Sequence, residues 1–300
     1  MLSYYKIIHT TCHTQWGGLE KRIFNESVWM SQKGHAIIIV APSNSVLFLN
    51  AKEYGLKTYA VDFKRLNTLK DYRFLKTLFR NEKPDIVNTH GNEDSRISLL
   101  AARHASVGCR ILSRHISAHV RPSWFNRYLY KILATYVFTT ADYTTRHLQK
   151  VFKLTEKQIF SMPSGIIPPS TLMDKDDART LLATELNLDS TVRFIGFVGR
   201  VSDAKGADTI INAFEKIASQ MPAHHLVFVG DSSPEYFSFL AELARQKQIS
   251  HNVHFVGSKK EVWSYYRAFD CNILASKNNK GIPFEGVPQA VLEEIGRAHV

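Results

Sequence analysis

The chain is poor in cysteine: Cys12, Cys109 and Cys271 are its only three, and no two form a CxxC. That argues against a disulfide framework or a zinc knuckle and for reduced thiols. Long apolar runs are missing as well. No window holds the roughly 18 apolar residues that a membrane span needs. The most apolar N-terminal stretch, Ile37–Ala41, is short and reads as a buried strand. Met1–Thr10 has neither the basic region nor the long apolar core of a secretory signal, so the expected location is the cytoplasmic side. GxGxxG is absent too, which lowers the odds of a nicotinamide enzyme.

What is present is a globular composition, 44% hydrophobic and 22% charged, over 300 residues, enough for two ordinary domains. The net charge of +11 is unevenly spread. Residues 1–168 hold 24 Lys and Arg against 11 Asp and Glu, while residues 169–300 hold 14 against 16. A basic first half suits anionic lipid, nucleic acid or phosphorylated substrates, or is simply a solvated basic surface. His9, Cys12 and His13 lie close together, but no second ligand pair appears at metal-site spacing, so no metal is expected.

Short apolar runs alternate with helical patterns throughout, the signature of parallel sheets. In the first half strands are expected at Tyr5–Thr10, Ala36–Ala41, Lys57–Val61, Ile86–His90, Arg110–Ser113 and Tyr136–Thr139. Helices are expected at Leu19–Ser31, Leu69–Asn81 and Ser123–Ala134, the last with Trp124, Tyr128 and Leu129 on one stripe. Pro163, Gly165, Pro168 and Pro169 then break the rhythm and read as a linker. Beyond it come strand Phe194–Val198, helix Ala207–Ser219, strand His225–Val229, helix Tyr236–Lys247, strand Val253–Val256, helix Lys260–Ala268 and strand Cys271–Ala275. The reading is α/β: two doubly wound, Rossmann-like domains, 1–168 and 169–300, with a substrate cleft between them.

Three segments carry chemistry. Gly17–Gly18 lie between the first strand and a helix, where backbone can approach an anion, although a glycine pair is more often just a tight turn. Arg200 and Lys205, in Gly199-Arg200-Val201-Ser202-Asp203-Ala204-Lys205-Gly206, would converge beside a helix N-terminus and suit a pyrophosphate. In Glu285-Gly286-Val287-Pro288-Gln289-Ala290-Val291-Leu292-Glu293, Pro288 can open a helix. That holds Glu285 and Glu293 apart, each able to accept from a sugar or ribose hydroxyl, or to serve as an ordinary cap and a surface glutamate. His90, at a strand end, either lines an acceptor site or is structural. Asp174-Lys175-Asp176 resembles a metal-binding DxD, but it precedes helix Ala178–Leu186 and is explained by the helix dipole.

Together these elements resemble the retaining glycosyltransferases of family 4, of the fold called GT-B. The resemblance runs from about residue 4 to residue 294 and rests on the GG loop, G-R-x-x-x-x-K-G, the Gly230-Asp231 pair and E-G-x-P-x4-E. It implies transfer of a sugar, with retention, from a nucleotide-diphosphate sugar to a glycan or lipid-linked acceptor. Lipopolysaccharide or capsule synthesis on the inner face of a membrane would be the setting, and no cofactor would be needed. It also implies that Arg200 and Lys205 bind the donor diphosphate, approached by Gly17 and Gly18. Glu285 would contact the donor sugar, Glu293 would hold the ribose, and His115 would lie near the reacting sugar. After Glu293 the family pattern is lost. Ile295-Gly296-Arg297-Ala298-His299-Val300 reads like translated sequencing adapter, so residues 295–300 are expected to be non-native, the second domain incomplete and the chain inactive. Two alternatives remain: another GT-B enzyme, such as a sugar-phosphate synthase or nucleotide-sugar epimerase, and a basic nucleic-acid-binding protein. No nucleic-acid motif supports the last.

Overall fold

The residues of Ile37–Ala41 are all at most 5% exposed, which is why they need a strand covered on both faces. A computed structural model describes residues 4–115, 120–166, 168–279, 282–283 and 288–296. The chain divides into two compact units after Gly165. In the first, β1 (Lys6–Thr10), α1 (Gly18–Gln32), β2 (Ala36–Ala41), α2 (Val46–Glu53), β3 (Lys57–Ala60), α3 (Thr68–Glu82) and β4 (Ile86–Thr89) are followed by α4 (Asn92–His104). Then come β5 (Cys109–Arg114), α5 (Trp124–Tyr128), β6 (Tyr136–Thr139), α6 (Asp142–Phe152) and β7 (Ile159–Ser161). The seven strands are parallel, in the order β3-β2-β1-β4-β5-β6-β7.

Side chains alternate across a strand, and the two cores of this unit follow directly. Ile8, Ile38 and Val40 join Leu75, Phe79 and Val87 on one face. Ile7, Ile37 and Ile39 join Ile23 and Leu47 on the other.

In the second unit α7 (Lys175–Glu185), β8 (Arg193–Val198), α8 (Ala207–Ala218), β9 (His224–Val229), α9 (Pro234–Gln246), β10 (Val253–Gly257), α10 (Trp263–Ala268) and β11 (Cys271–Asn272) form a parallel sheet with its helices, in the order β10-β9-β8-β11. A short antiparallel pair joins β12 (Asn278–Asn279) to β13 (Ile282–Pro283), and α11 (Gln289–Gly296) follows. Ile195, Phe197, Leu226 and Phe228 face one core and Phe194, Val198, Val227 and Val229 the other. Mixed α/β architecture with two parallel, Rossmann-like sheets is therefore the fold.

Several elements depart from the sequence reading. The helix expected at Ser123–Ala134 is one α-turn followed by a π-helical turn, Leu129–Leu133. The wider turn puts Leu129, Tyr130 and Leu133 all inside while Trp124 is 80% exposed, so Trp124, Tyr128 and Leu129 do not share a face. Strand Cys271–Ala275 pairs only over Cys271–Asn272, because Lys277 N–H donates to Ala204 O (2.9 Å) and the chain turns away. β7, α2, α4 and α6 had no counterpart in the reading. Asp174 caps α7, accepting from Asp176 N–H at 2.8 Å. Among the described residues no helix is long and apolar enough to cross a membrane.

Gly196, in the middle of β8, lies under a fully buried Phe269: a Cβ there would sit 1.9 Å from the ring. Gly196→Val should overpack this core and lower stability by about 1–3 kcal/mol. A urea unfolding midpoint equal to that of the parent would show that the ring yields freely.

Candidate functional site

In the second unit the loops at the carboxyl edge of the sheet touch backbone to backbone. Gly206 has φ +72°, and a Cβ on it would lie 1.9 Å from Ala275 O. Gly230 has φ +150°, and its Cβ would lie 1.8 Å from Gly199 O. No other residue type fits at either position. The contacts continue as hydrogen bonds: Gly199 N–H to Val229 O, Val201 N–H to Asp231 O and Gly230 N–H to Gly257 O, each 2.9 Å. Lys277 adds a side-chain tie to Asp203 and to Asp208, the latter at 2.9 Å.

This frame holds Arg200 and Lys205 in the loop that leads from β8 into α8. Arg200 is exposed and Lys205 half-buried. Burial, and then the charge of Arg200, lower the Lys205 ammonium to about 8. The two cations are thus close enough to feel one another. An anion between them would favour the charged ammonium and raise that value again.

Glu293, on α11, is 8% exposed and accepts a hydrogen bond from the Tyr266 hydroxyl at 3.0 Å. Burial, and then the Glu293 carboxylate, push the Tyr266 phenol far above its usual range, so it remains a donor. Glu285 lies outside the described residues.

In the first unit Gly18 opens α1, and Gly17 N–H donates to Glu20 Oε2 at 2.9 Å. Glu20 Oε1 lies 3.0 Å from His13 Nδ1. A buried carboxylate of the chain's own therefore occupies this helix N-terminus. Hydrogen bonds to Cys12 and Glu20 raise His13 to about 10.

Alongside, three histidines at the carboxyl ends of the adjacent strands β1, β4 and β5 form one chain. His9 Nδ1 is 2.9 Å from His90 Nε2, and His90 Nδ1 is 2.9 Å from His115 Nε2. Burial lowers His9 to about 4 and His115 to about 3, and pushes His90 well below its usual value. Asp94 Oδ2 accepts from Thr10 Oγ1 at 2.9 Å and from His90 N–H at 3.2 Å. A cavity of about 450 Å³ opens at the carboxyl ends of β1, β2 and β3, lined by Cys12, Thr14, Ser43, Asn44, Asp62 and Lys64. Among the described residues no group of three or more His, Cys, Asp or Glu is placed to hold a metal ion.

Tyr266, Glu20 and the place of His9 in the chain escaped the sequence reading. Tyr266 lies 27 residues from its partner and His9 lies 81 from His90, so no local spacing marks either pair.

Residues 16–168, just over half of the chain, match the family model described as Glycosyltransferase Family 4. Residues 179–295 match the model described as Glycosyl transferases group 1. The chain belongs to the GT-B glycosyltransferases. An uncharacterized glycosyltransferase of Methanocaldococcus jannaschii is 26% identical over 239 residues, covering 75% of this chain. The chain spans 56% of that curated relative's length. Of solved structures, Anabaena HepE in complex with UDP-glucose superposes with a TM-score of 0.74 at 13% identity, covering 97% of this chain and 78% of that one. WaaG, a glycosyltransferase involved in lipopolysaccharide biosynthesis, gives 0.61 at 15% identity, covering 91% and 75%. At these identities the likeness is one of fold.

The depressed histidines set a pH window. His9, His90, His115 and, in the second unit, His254 (about 4) stay neutral when folded, but take up protons near pH 6.5 when unfolded. Stability should therefore fall as pH drops from about 6.5 toward 4. His13 has the opposite sign: its contribution is complete below pH 6.5 and is lost as pH rises toward 10. The urea midpoint should peak near neutrality and begin to decline on acidification while the pH is still above about 6, before carboxylates titrate. A midpoint constant from pH 7 to 5 would contradict this assignment.

Proposed function

We propose that the protein transfers a sugar from a nucleotide-diphosphate sugar to a glycan or lipid-linked acceptor, with retention of anomeric configuration. The observation that carries the reading is the placement of Arg200 and Lys205 at a glycine-only crossing of loops, beside the N-terminus of α8. A leaving diphosphate gains negative charge as the bond from the anomeric carbon to its oxygen breaks. Two fixed cations stabilise that charge more in the transition state than in the substrate. The acceptor oxygen bonds to the same face of the anomeric carbon, and its proton passes to the departing phosphate oxygen. His115 would hydrogen-bond the reacting sugar, and Glu285 would contact that sugar as well. Glu293, oriented by Tyr266, would hold the ribose.

The solved complexes of HepE with UDP-glucose support a nucleotide sugar as the partner, and the likeness to WaaG supports a surface glycan as the product. The polar cavity beside Cys12 suits a hydroxyl-rich acceptor.

In the first unit Arg121 just before α5, and Trp124, Arg127, Tyr128, Lys131 and Ile132 along α5 and the turn after it, are all exposed. Tyr130, close to them in sequence, is 3% exposed and stacked on Phe152, so it belongs to the core. Cations around an exposed tryptophan fit an anionic membrane, where a lipid-linked acceptor resides, at about 1 kcal/mol per near-surface charge.

A thermal-shift screen of nucleotide sugars tests the donor, because a ligand of the folded state raises the midpoint by mass action. One nucleotide sugar should stabilise the protein, and Arg200→Ala or Lys205→Ala should each weaken binding by roughly 1.5–3 kcal/mol. Unchanged binding in both variants would remove them from the site. An NMR spectrum of the product with inverted configuration would reject retention. Cosedimentation with phosphatidylserine vesicles at low salt should be lost in Trp124→Ala; a parent protein that stays in the supernatant would reject membrane docking.

A further inference from the structure

The three histidines obey a constraint that their spacing alone imposes. Each 2.9 Å nitrogen–nitrogen contact needs one protonated and one bare nitrogen. His90 contributes one nitrogen to each contact, and the rings are tilted from one another by only 21° and 31°. If neutral His90 carries its proton on Nδ1, then His115 must accept at Nε2 and keep its own proton on Nδ1. His90 Nε2 is then bare, and His9 must donate from Nδ1. If His90 carries its proton on Nε2, both neighbours carry theirs on Nε2. The three rings therefore share one tautomer, and the far end of the chain decides which.

At that far end His9 is 2% exposed and its Nε2 has no hydrogen-bond partner among the described residues. In the all-Nε2–H arrangement this atom is a buried N–H with no acceptor, a rare and costly state. In the all-Nδ1–H arrangement it is a bare nitrogen. Charges facing the other end are Arg22, His13 and Arg114. They would favour a lone pair there, but Arg22 is paired with Glu26 at 2.6 Å and His13 with Glu20 at 3.0 Å, which cancels much of the field of those two and leaves mainly Arg114. The orphan at His9 outweighs what remains.

We propose that His9 and His90 are positioning residues that lock His115 in its Nδ1–H tautomer, so that its ring offers a sugar hydroxyl a hydrogen-bond donor and not a base. The assignment rests on the reading of His115 as a sugar-site residue. The chain does not conduct protons: His9 Nε2 is sealed, so a proton entering at His115 has no exit. Thr10 and Asp94 brace the middle link through the Asp94 contact to His90 N–H.

The test is nitrogen-15 NMR of histidine-labelled full-length protein at pH 7, reading the tautomer of each ring from its long-range nitrogen–proton couplings. In the parent protein all three rings should be neutral and Nδ1–H. His9→Asp faces His90 Nε2 with a carboxylate that only accepts, so His90 must carry its proton on Nε2, and His115 switches to Nε2–H with it, 25 residues away in sequence. His9→Leu offers neither donor nor acceptor, so His90 Nε2 stays bare and His115 stays Nδ1–H. A purely structural role for His9 would leave the His115 tautomer unchanged in His9→Asp, and that result would overturn the proposal. So would a parent His115 that is Nε2–H or charged, which settles the matter even if neither variant folds. The readout needs no nucleotide sugar, so its failure and failure of the transferase reading are separate outcomes.

Discussion

Two peptide backbones pressed together without room for a Cβ set the geometry of the second unit's loops. Gly206 meets Ala275 O and Gly230 meets Gly199 O at distances that only glycine tolerates, both at positive φ. From these contacts follows the path of the Gly199–Gly206 loop, and from that path the placement of Arg200 and Lys205 together. A half-buried ammonium beside a guanidinium is unfavourable by itself, as the lowered Lys205 value shows. Close backbone contacts hold such a pair in place, and under the proposed function a donor diphosphate would relieve both desolvation and repulsion.

The first unit meets a similar problem with different chemistry. Its carboxyl edge buries His9, His90 and Asp94. Neutral imidazoles hydrogen-bonded in series avoid most of the cost of burying charge. Glu20 does the same for the N-terminus of α1 and for His13, supplying a carboxylate where an external anion could otherwise sit. Around His13 and His90 in this unit, polar groups are satisfied largely by one another.

Legibility in the sequence tracked the range of the interaction. Strands such as Ala36–Ala41 and Phe194–Val198 announce themselves because a strand buried on both faces must be apolar throughout. The Arg200–Lys205 loop was legible because strand end, glycine, cations and helix start follow one another from Val198 to Ala207. α4 was not: Asp94, Ser95 and Ser98 are buried polar residues in its first half, which blurs the apolar stripe. The π turn at Leu129–Leu133 was also hidden, since its cause is tertiary, the burial of Leu129 and Tyr130 side by side. Tyr266–Glu293 and His9–His90–His115 join residues from separate elements, and only the fold brings them together.

Calorimetric titration with a nucleoside, its monophosphate and its diphosphate, for uridine, adenosine and guanosine in turn, tests the central claim most directly. If Arg200 and Lys205 form a diphosphate site, one diphosphate should bind at least about tenfold more tightly than its monophosphate, the 1.4 kcal/mol or more expected of a charge-assisted bond. That advantage should shrink as pH rises through about 8, where Lys205 loses its proton. Equal affinity for mono- and diphosphate, or no binding by any of the three diphosphates, would contradict the account.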